Sequence, residues 1–363
     1  MKIKKVLFIG LGGIGQRHLH NLRTLLGDSV EILAYRVRNL PYTISLDLTR
    51  SNEDVTKKYF VKVFRDLGEA LQQSPDVAFI CNPSSLHIPV AIEVAKAGCH
   101  LFIEKPLSHT LEGVEELISI CHENNLVGYV GYQLRFHPCY QLLRSLIREN
   151  KVGTIFSVHA RIGEYLPDWH KYEDYRYLYA AKENLGGGVV LSQIHEIDYL
   201  YDLFGMPIKV FALGGKLSSL DIDVEDCVDA LLEMHYQDRC LPAVLHMDFL
   251  QQSTIRRCVV IGEKGRITMD MCGLEVRIDK MVSQDDEVYR FDDFKRNNMF
   301  IDELRHFLQC VEQRQQPLVT LECGVKSLEV ALALKQSLLE SRIVYPSSVG
   351  ATQSKEIIFE QSE

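Results

Sequence analysis

The chain has 363 residues, 46% hydrophobic and 25% charged, an ordinary globular composition long enough for two cores. Its net charge of −9 argues against a general nucleic-acid or anionic-membrane surface, so an anionic small molecule would need a local basic pocket. The ten cysteines form no C-x-x-C pair, which leaves metal and disulfide readings without support and reads as reduced thiols of a cytoplasmic protein. No stretch approaches the length of a membrane span. Lys2, Lys4 and Lys5 precede an apolar run too short for a signal peptide.

Residues 6–9 form a short apolar run suited to a buried parallel strand. Gly10, Gly12 and Gly15 follow with G-x-G-x-x-G spacing, and Gly13 and Ile14 complete the turn. Leu19, Leu22, Leu25 and Leu26 then repeat at helical spacing. Strand, glycine turn and helix together point to a dinucleotide site, with the pyrophosphate on the helix N-terminus. The plainer alternative is a glycine turn in an ordinary α/β domain.

A second strand over residues 30–37 ends without the carboxylate that takes an adenosine 2′-hydroxyl. Arg36 or Arg38 would hold a 2′-phosphate there, which favours NADP over NAD; otherwise they are two solvated arginines. Short strands follow at 59–63 and 76–80, with a helix at 67–73 between them. Asn82, Pro83 and His87 then lie in a loop at the carboxyl edge of a parallel sheet, where ligands of such folds bind. His87 either touches ligand or sits in a solvated first helical turn. A fifth strand over 100–104 ends at Glu104-Lys105-Pro106, where proline stops pairing and delivers Lys105 to the same edge. A helix over 110–123 and a sixth strand over 126–130 complete the first unit.

Beyond it, Arg135 and His137 stand near the expected cleft, Arg135 as partner for an acid group or as a salt bridge between domains. A strand over 154–163 precedes a segment rich in rings and ions, including Tyr165, Trp169 and Arg176. Such a segment suits a sugar, which offers apolar faces and hydroxyls, or else packs over the sheet by its own rings. Gly186-Gly187-Gly188 leads into a single helix through about residue 204, on which Ser192, His195, Asp198 and Asp202 share one face. Strands at 209–216, 227–236, 242–250, 256–261 and 266–270 form an open sheet. Two late amphipathic helices supply core, and the tail after Pro346 is loosely held.

The glycine turn, Asn82-Pro83, Glu104-Lys105-Pro106, the run from Gly131 to Pro138, and the segments around Tyr165, Trp169, Arg176, Gly186–Gly188, His195 and Asp198 resemble the Gfo/Idh/MocA oxidoreductases over almost the whole chain. The resemblance implies an α/β Rossmann domain with a doubly wound parallel sheet over 1–130. An α+β domain with a large open, mostly antiparallel sheet follows over 131–363. It implies that the glycine turn, Asn82, Pro83 and Glu104 contribute to the nicotinamide cofactor site, with Lys105 beside the nicotinamide and His195 as its catalytic partner. Tyr165, Trp169, Arg176, Arg135, His137, Ser192 and Asp198 are then expected to face substrate. Family members commonly place an Asp just before the helix histidine, where this chain has Leu191 and Ser192. The implied activity is NAD(P)-dependent hydride transfer on a sugar, polyol or nucleotide sugar, in a homodimer or homotetramer. A hydrolase or epimerase using transient oxidation, and a non-catalytic cofactor sensor, are the competing classes.

Overall fold

The computed structural model describes residues 2–38, 42–281 and 286–348. The first layer runs β1 (Lys5–Ile9), α1 (Gly13–Leu26), β2 (Glu31–Tyr35), a small hairpin of β3 (Thr43–Ile44) and β4 (Arg50–Ser51), α2 (Val55–Lys58) and β5 (Val61–Phe64). It continues through α3 (Leu67–Leu71), β6 (Val77–Ile80), α4 (His87–Lys96), β7 (His100–Glu104), α5 (Val114–Glu123) and β8 (Gly128–Gly131). The six long strands are ordered β5-β2-β1-β6-β7-β8 and every pairing is parallel. Strands covered on both faces must be apolar throughout, and β6 and most of β1 are fully buried. Strand order reverses between β1 and β6, opening a crevice at their carboxyl ends.

The second layer contains α6 (Pro138–Arg148), β9 (Ile155–Tyr165), α7 (Val189–Ser192), α8 (His195–Phe204), β10 (Pro207–Gly215), β11 (Cys227–Tyr236), β12 (Arg239–Asp248) and β13 (Leu250–Gly262). It ends with β14 (Gly265–Asp270), β15 (Glu275–Lys280), β16 (Glu287–Arg290), α9 (Arg296–Gln313) and α10 (Leu321–Glu340). The eight strands are ordered β10-β11-β12-β9-β13-β14-β15-β16, and only β12 and β9 pair in parallel. In β11 the buried Val228, Ala230, Leu232 and Met234 alternate with polar or exposed neighbours, the mark of a sheet covered on one face. The sequence reading stopped at residue 270 and missed β15, whose buried Val276 and Ile278 alternate with charged residues, and the edge strand β16, which needs no apolar alternation.

One expectation changes. The helix expected to run unbroken to residue 204 is interrupted at Gln193, whose side chain donates to the Asp248 carbonyl at 2.9 Å. Ser192 therefore does not share the α8 face with Asp198 and Asp202. The helix α9 also crosses back to the first layer, where Phe307 packs against the stacked rings of Phe79, Phe102 and Tyr129. The tail beyond residue 348 lies outside the described residues. No described helix is long and apolar enough to cross a membrane.

Candidate active site

The glycine turn is shaped by close approach. Gly10 has a φ of +91°, and a Cβ there would come within 2.9 Å of the Cys81 carbonyl oxygen. A Cβ on Gly15 would strike the Gly10 carbonyl oxygen, so the third glycine sets how tightly α1 meets β1. Around Gly12 nothing lies within 4 Å of the Cβ position, and no side chain caps α1 there. An open turn and an uncapped helix N-terminus offer backbone N–H groups to an anion. Across the crevice Asn82 donates to the Leu86 carbonyl at 3.3 Å, and its buried Oδ1 has no partner among the described residues. A dinucleotide fits this set of donors.

Lys105 follows β7 and enters the cleft between the two layers. Its Nζ donates to the Ser192 carbonyl at 2.7 Å and meets the Tyr179 hydroxyl at 3.5 Å. The chain that carries Ser192 and His195 reaches Lys105 because Gly186, at φ +78°, lets it pass close to Ser84 and His109; a Cβ there would lie 3.0 Å from the Ser84 Cβ. His195 opens α8, is 4% exposed, packs edge-on against Tyr132 with centroids 5.7 Å apart, and leaves Nδ1 without a partner among the described residues. Burial pushes the His195 imidazole well below the usual histidine range, and the charges of Lys105, Arg256 and Arg296 push the same way. All of these favour the neutral ring.

Several residues expected to face ligand are committed elsewhere. Arg135 is buried and donates from Nε and Nη2 to Asp198 at 2.7 and 2.9 Å, with Asp202 on its third nitrogen. Asp198 also accepts from the Ser327 hydroxyl at 3.1 Å, so both residues are spent within a buried ion-pair cluster. His137 caps α6 through the Cys139 N–H at 3.3 Å, and burial lowers its pKa to about 4. Both His87 nitrogens lie 2.9 Å from carbonyl oxygens, of Pro106 and Asn82, so the ring ties two site loops together from behind. Glu104 is buried, with one carboxylate oxygen 2.6 Å from His18 Nε2 and the other accepting from the Lys105 N–H at 3.2 Å. Arg176 pairs with Asp174 at the surface. Arg36 is buried within reach of Asp54, whereas Arg38 is exposed.

Ser192 meets Lys105 through its carbonyl, while its buried hydroxyl has no partner among the described residues. Trp169 packs edge-on against Phe249 at 5.2 Å with Nε1 likewise unpartnered, and Tyr165 is half-buried at the end of β9. Residues the sequence did not single out complete the setting. Glu196, wholly buried beside His195, accepts from Arg256 Nε at 2.9 Å, and burial raises its pKa to about 7. Arg296, exposed at the first residue of α9, stands within electrostatic reach of His195 and Arg17. No short motif marks these arginines, because β13 and α9 bring them in from far along the chain. Outside the cleft, Cys227, Asp229 and His246 place ligand-type atoms within 4.8 Å of one another. Both His246 nitrogens there already meet carboxylates, of Asp229 at 2.8 Å and Asp248 at 2.7 Å.

Residues 4–132 match the model of an oxidoreductase family with an NAD-binding Rossmann fold, and residues 144–346 match the C-terminal alpha/beta domain of the same family. The myo-inositol 2-dehydrogenase of Thermotoga maritima is 26% identical over 93% of this chain and 96% of its own length. Among solved structures, the WlbA dehydrogenase of Bordetella pertussis, in complex with NADH and UDP-GlcNAcA, superposes with a TM-score of 0.76 at 22% identity, covering 95% of this chain and 99% of that one. UDP-N-acetylglucosamine 3-dehydrogenase from Acidithiobacillus ferrooxidans gives 0.73 at 20% identity, covering 93% and 98%. The last two show the shared fold.

Proposed function

The chain belongs to the Gfo/Idh/MocA oxidoreductase family, and on that premise we propose that it transfers hydride between a nicotinamide cofactor and a hydroxyl-bearing carbon of a sugar or nucleotide sugar. The observation that carries the reading is that Lys105, at the carboxyl edge of the parallel sheet that also carries the glycine turn, meets the Ser192 carbonyl and lies within electrostatic reach of His195. Gly10, Gly12, Gly13, Ile14, Gly15, Asn82 and Pro83 would hold the cofactor, which supplies the hydride acceptor or donor when bound. Residues 1–130 serve as the cofactor unit and 131–363 as the substrate and assembly unit. Leu213, Leu231 and Ile261, apolar on the uncovered sheet face, suit a homodimer or homotetramer.

In the oxidative direction His195 takes the proton of the reacting hydroxyl. Lys105, anchored on the Ser192 carbonyl, donates a hydrogen bond to the same oxygen and stabilises its developing negative charge. Ser192 brings no carboxylate to this pair, so the base works without an acidic neighbour at that position. Arg256 and Arg296 add positive charge around His195, which favours a substrate bearing an acid or phosphate group. Arg135, the arginine the sequence offered as partner for an acid group, spends its nitrogens on Asp198 and Asp202 instead.

A depressed pKa keeps His195 in its base form as pH falls, so kcat/KM for oxidation should show no acid limb from this residue near the ordinary value of about 6.5. Glu196 is the other group to watch. A limb near pH 7 that disappears in Glu196→Gln belongs to that carboxyl, and one that persists contradicts the neutral-base assignment.

NADP is placed ahead of NAD because β2 ends without a ribose-binding carboxylate and Arg38 is exposed just beyond it. Titration with NADPH and NADH, followed by emission from Trp169, tests the cofactor reading. Saturation at lower NADPH than NADH is expected. Tighter NADH binding would remove Arg38 from cofactor selection, and binding of neither would overturn the function.

A further inference from the structure

A strap from the substrate layer lies across the cofactor cradle. It leaves β9 and runs through short turns at Leu166–Asp168, Tyr175–Tyr177 and Tyr179–Ala181 before the Gly186 passage. Trp169 fixes its first part on Phe249, and the Tyr175 hydroxyl accepts from the Asp221 N–H at 3.2 Å. Between these anchors, Tyr172 stacks on His170 with centroids 5.1 Å apart and sets its hydroxyl directly over Gly13, where a Cβ would run into it. That hydroxyl is buried and has no hydrogen-bond partner among the described residues, and Arg17 lies within electrostatic reach of it. Seven residues on, Tyr179 reaches Lys105.

Resting on the cofactor-binding reading above, we propose that Tyr172 is a cofactor-binding residue contributed by the substrate layer. Its hydroxyl donates to the pyrophosphate held by the glycine turn, and the strap retains the dinucleotide by spanning from that turn to Lys105. A buried O–H aimed at an uncapped helix N-terminus lacks an acceptor until an anion arrives, and a phosphate oxygen supplies one. The crowding over Gly13 gives that position a requirement distinct from the backbone geometry at Gly10 and Gly15. Any side chain there would lift the hydroxyl off the turn.

The test uses Tyr172→Phe, which keeps the ring and its stack on His170 while removing the donor. The dissociation rate of NADPH and of NADH, measured by rapid mixing with a trapping excess of unlabelled competitor, should rise roughly tenfold, as for loss of one hydrogen bond to a charged group. Thermal midpoint should be unchanged. In Gly13→Ala the strap should also become more sensitive to limited proteolysis. Adding Tyr172→Phe should relieve part of that sensitivity, because the ring carbon bearing the hydroxyl stands 3.5 Å from the Cβ position and fits beside it. A dissociation rate equal to wild type, or slower, in Tyr172→Phe would overturn the strap role while leaving the oxidoreductase reading intact. Failure of the wild-type protein to bind either nucleotide would overturn both.

Discussion

Replacing Lys105 with Met lowers turnover roughly a thousandfold while NAD(P)H affinity stays within about threefold, the range expected when one donor to a developing alkoxide is lost. The geometry explains the split. Lys105 Nζ is held 2.7 Å from the Ser192 carbonyl, inside the cleft, while the glycine turn and Asn82 that would carry most cofactor contacts lie on other loops. Methionine fills similar space and cannot donate, so substrate oxygen faces an apolar wall at the moment charge builds on it. Steady-state rates and a parallel cofactor titration check this. Unchanged turnover would take Lys105 out of the mechanism. A matching collapse of cofactor affinity would make it a binding residue instead.

Replacing Asp198 with Ala destabilises the protein by about 3 kcal/mol, the cost of stripping a buried guanidinium of two of its three charged contacts and leaving it only Asp202. Arg135 spends two nitrogens on Asp198 and a third on Asp202, and its side chain is 3% exposed, so water cannot take over. Urea denaturation measures the loss. The double variant Arg135→Met/Asp198→Leu should recover much of it, because an apolar pair carries no desolvation cost. A single variant with wild-type stability and raised KM would restore Asp198 to the substrate site.

What could be read from the sequence was local. The strand before Gly10, the glycine spacing and the leucines of α1 lie within 22 residues of one another, so pattern alone placed the cofactor turn. Lys105 was placed because Pro106 ends its strand. Arg135 was left open between an acid-group partner and a salt bridge, because an arginine shows its charge in sequence and conceals its partner: Asp198 lies 63 residues on, and Ser327 a further 129 beyond that. Glu104 ends β7 and His87 opens α4, and the sequence could not show that their side chains meet His18 in one case and the Pro106 and Asn82 carbonyls in the other. Arg256, Arg296 and the Tyr172 hydroxyl could not be found by spacing at all. They reach the cleft only through β13, α9 and a strap in which the sequence reading singled out Tyr165 and Trp169 rather than Tyr172.

The central claim is hydride transfer at Lys105 and His195. The most direct measurement is to load the protein with NADP or NAD in oxidised form and add polyols, neutral and acidic sugars, and UDP-linked sugars in turn, following the near-ultraviolet absorbance of reduced nicotinamide. Reduction by an acidic or UDP-linked sugar in wild type, and its loss in Lys105→Met and His195→Ala, is the predicted result. Cofactor bound firmly but never reduced by any of these, or reduced equally well by both variants, would contradict the account.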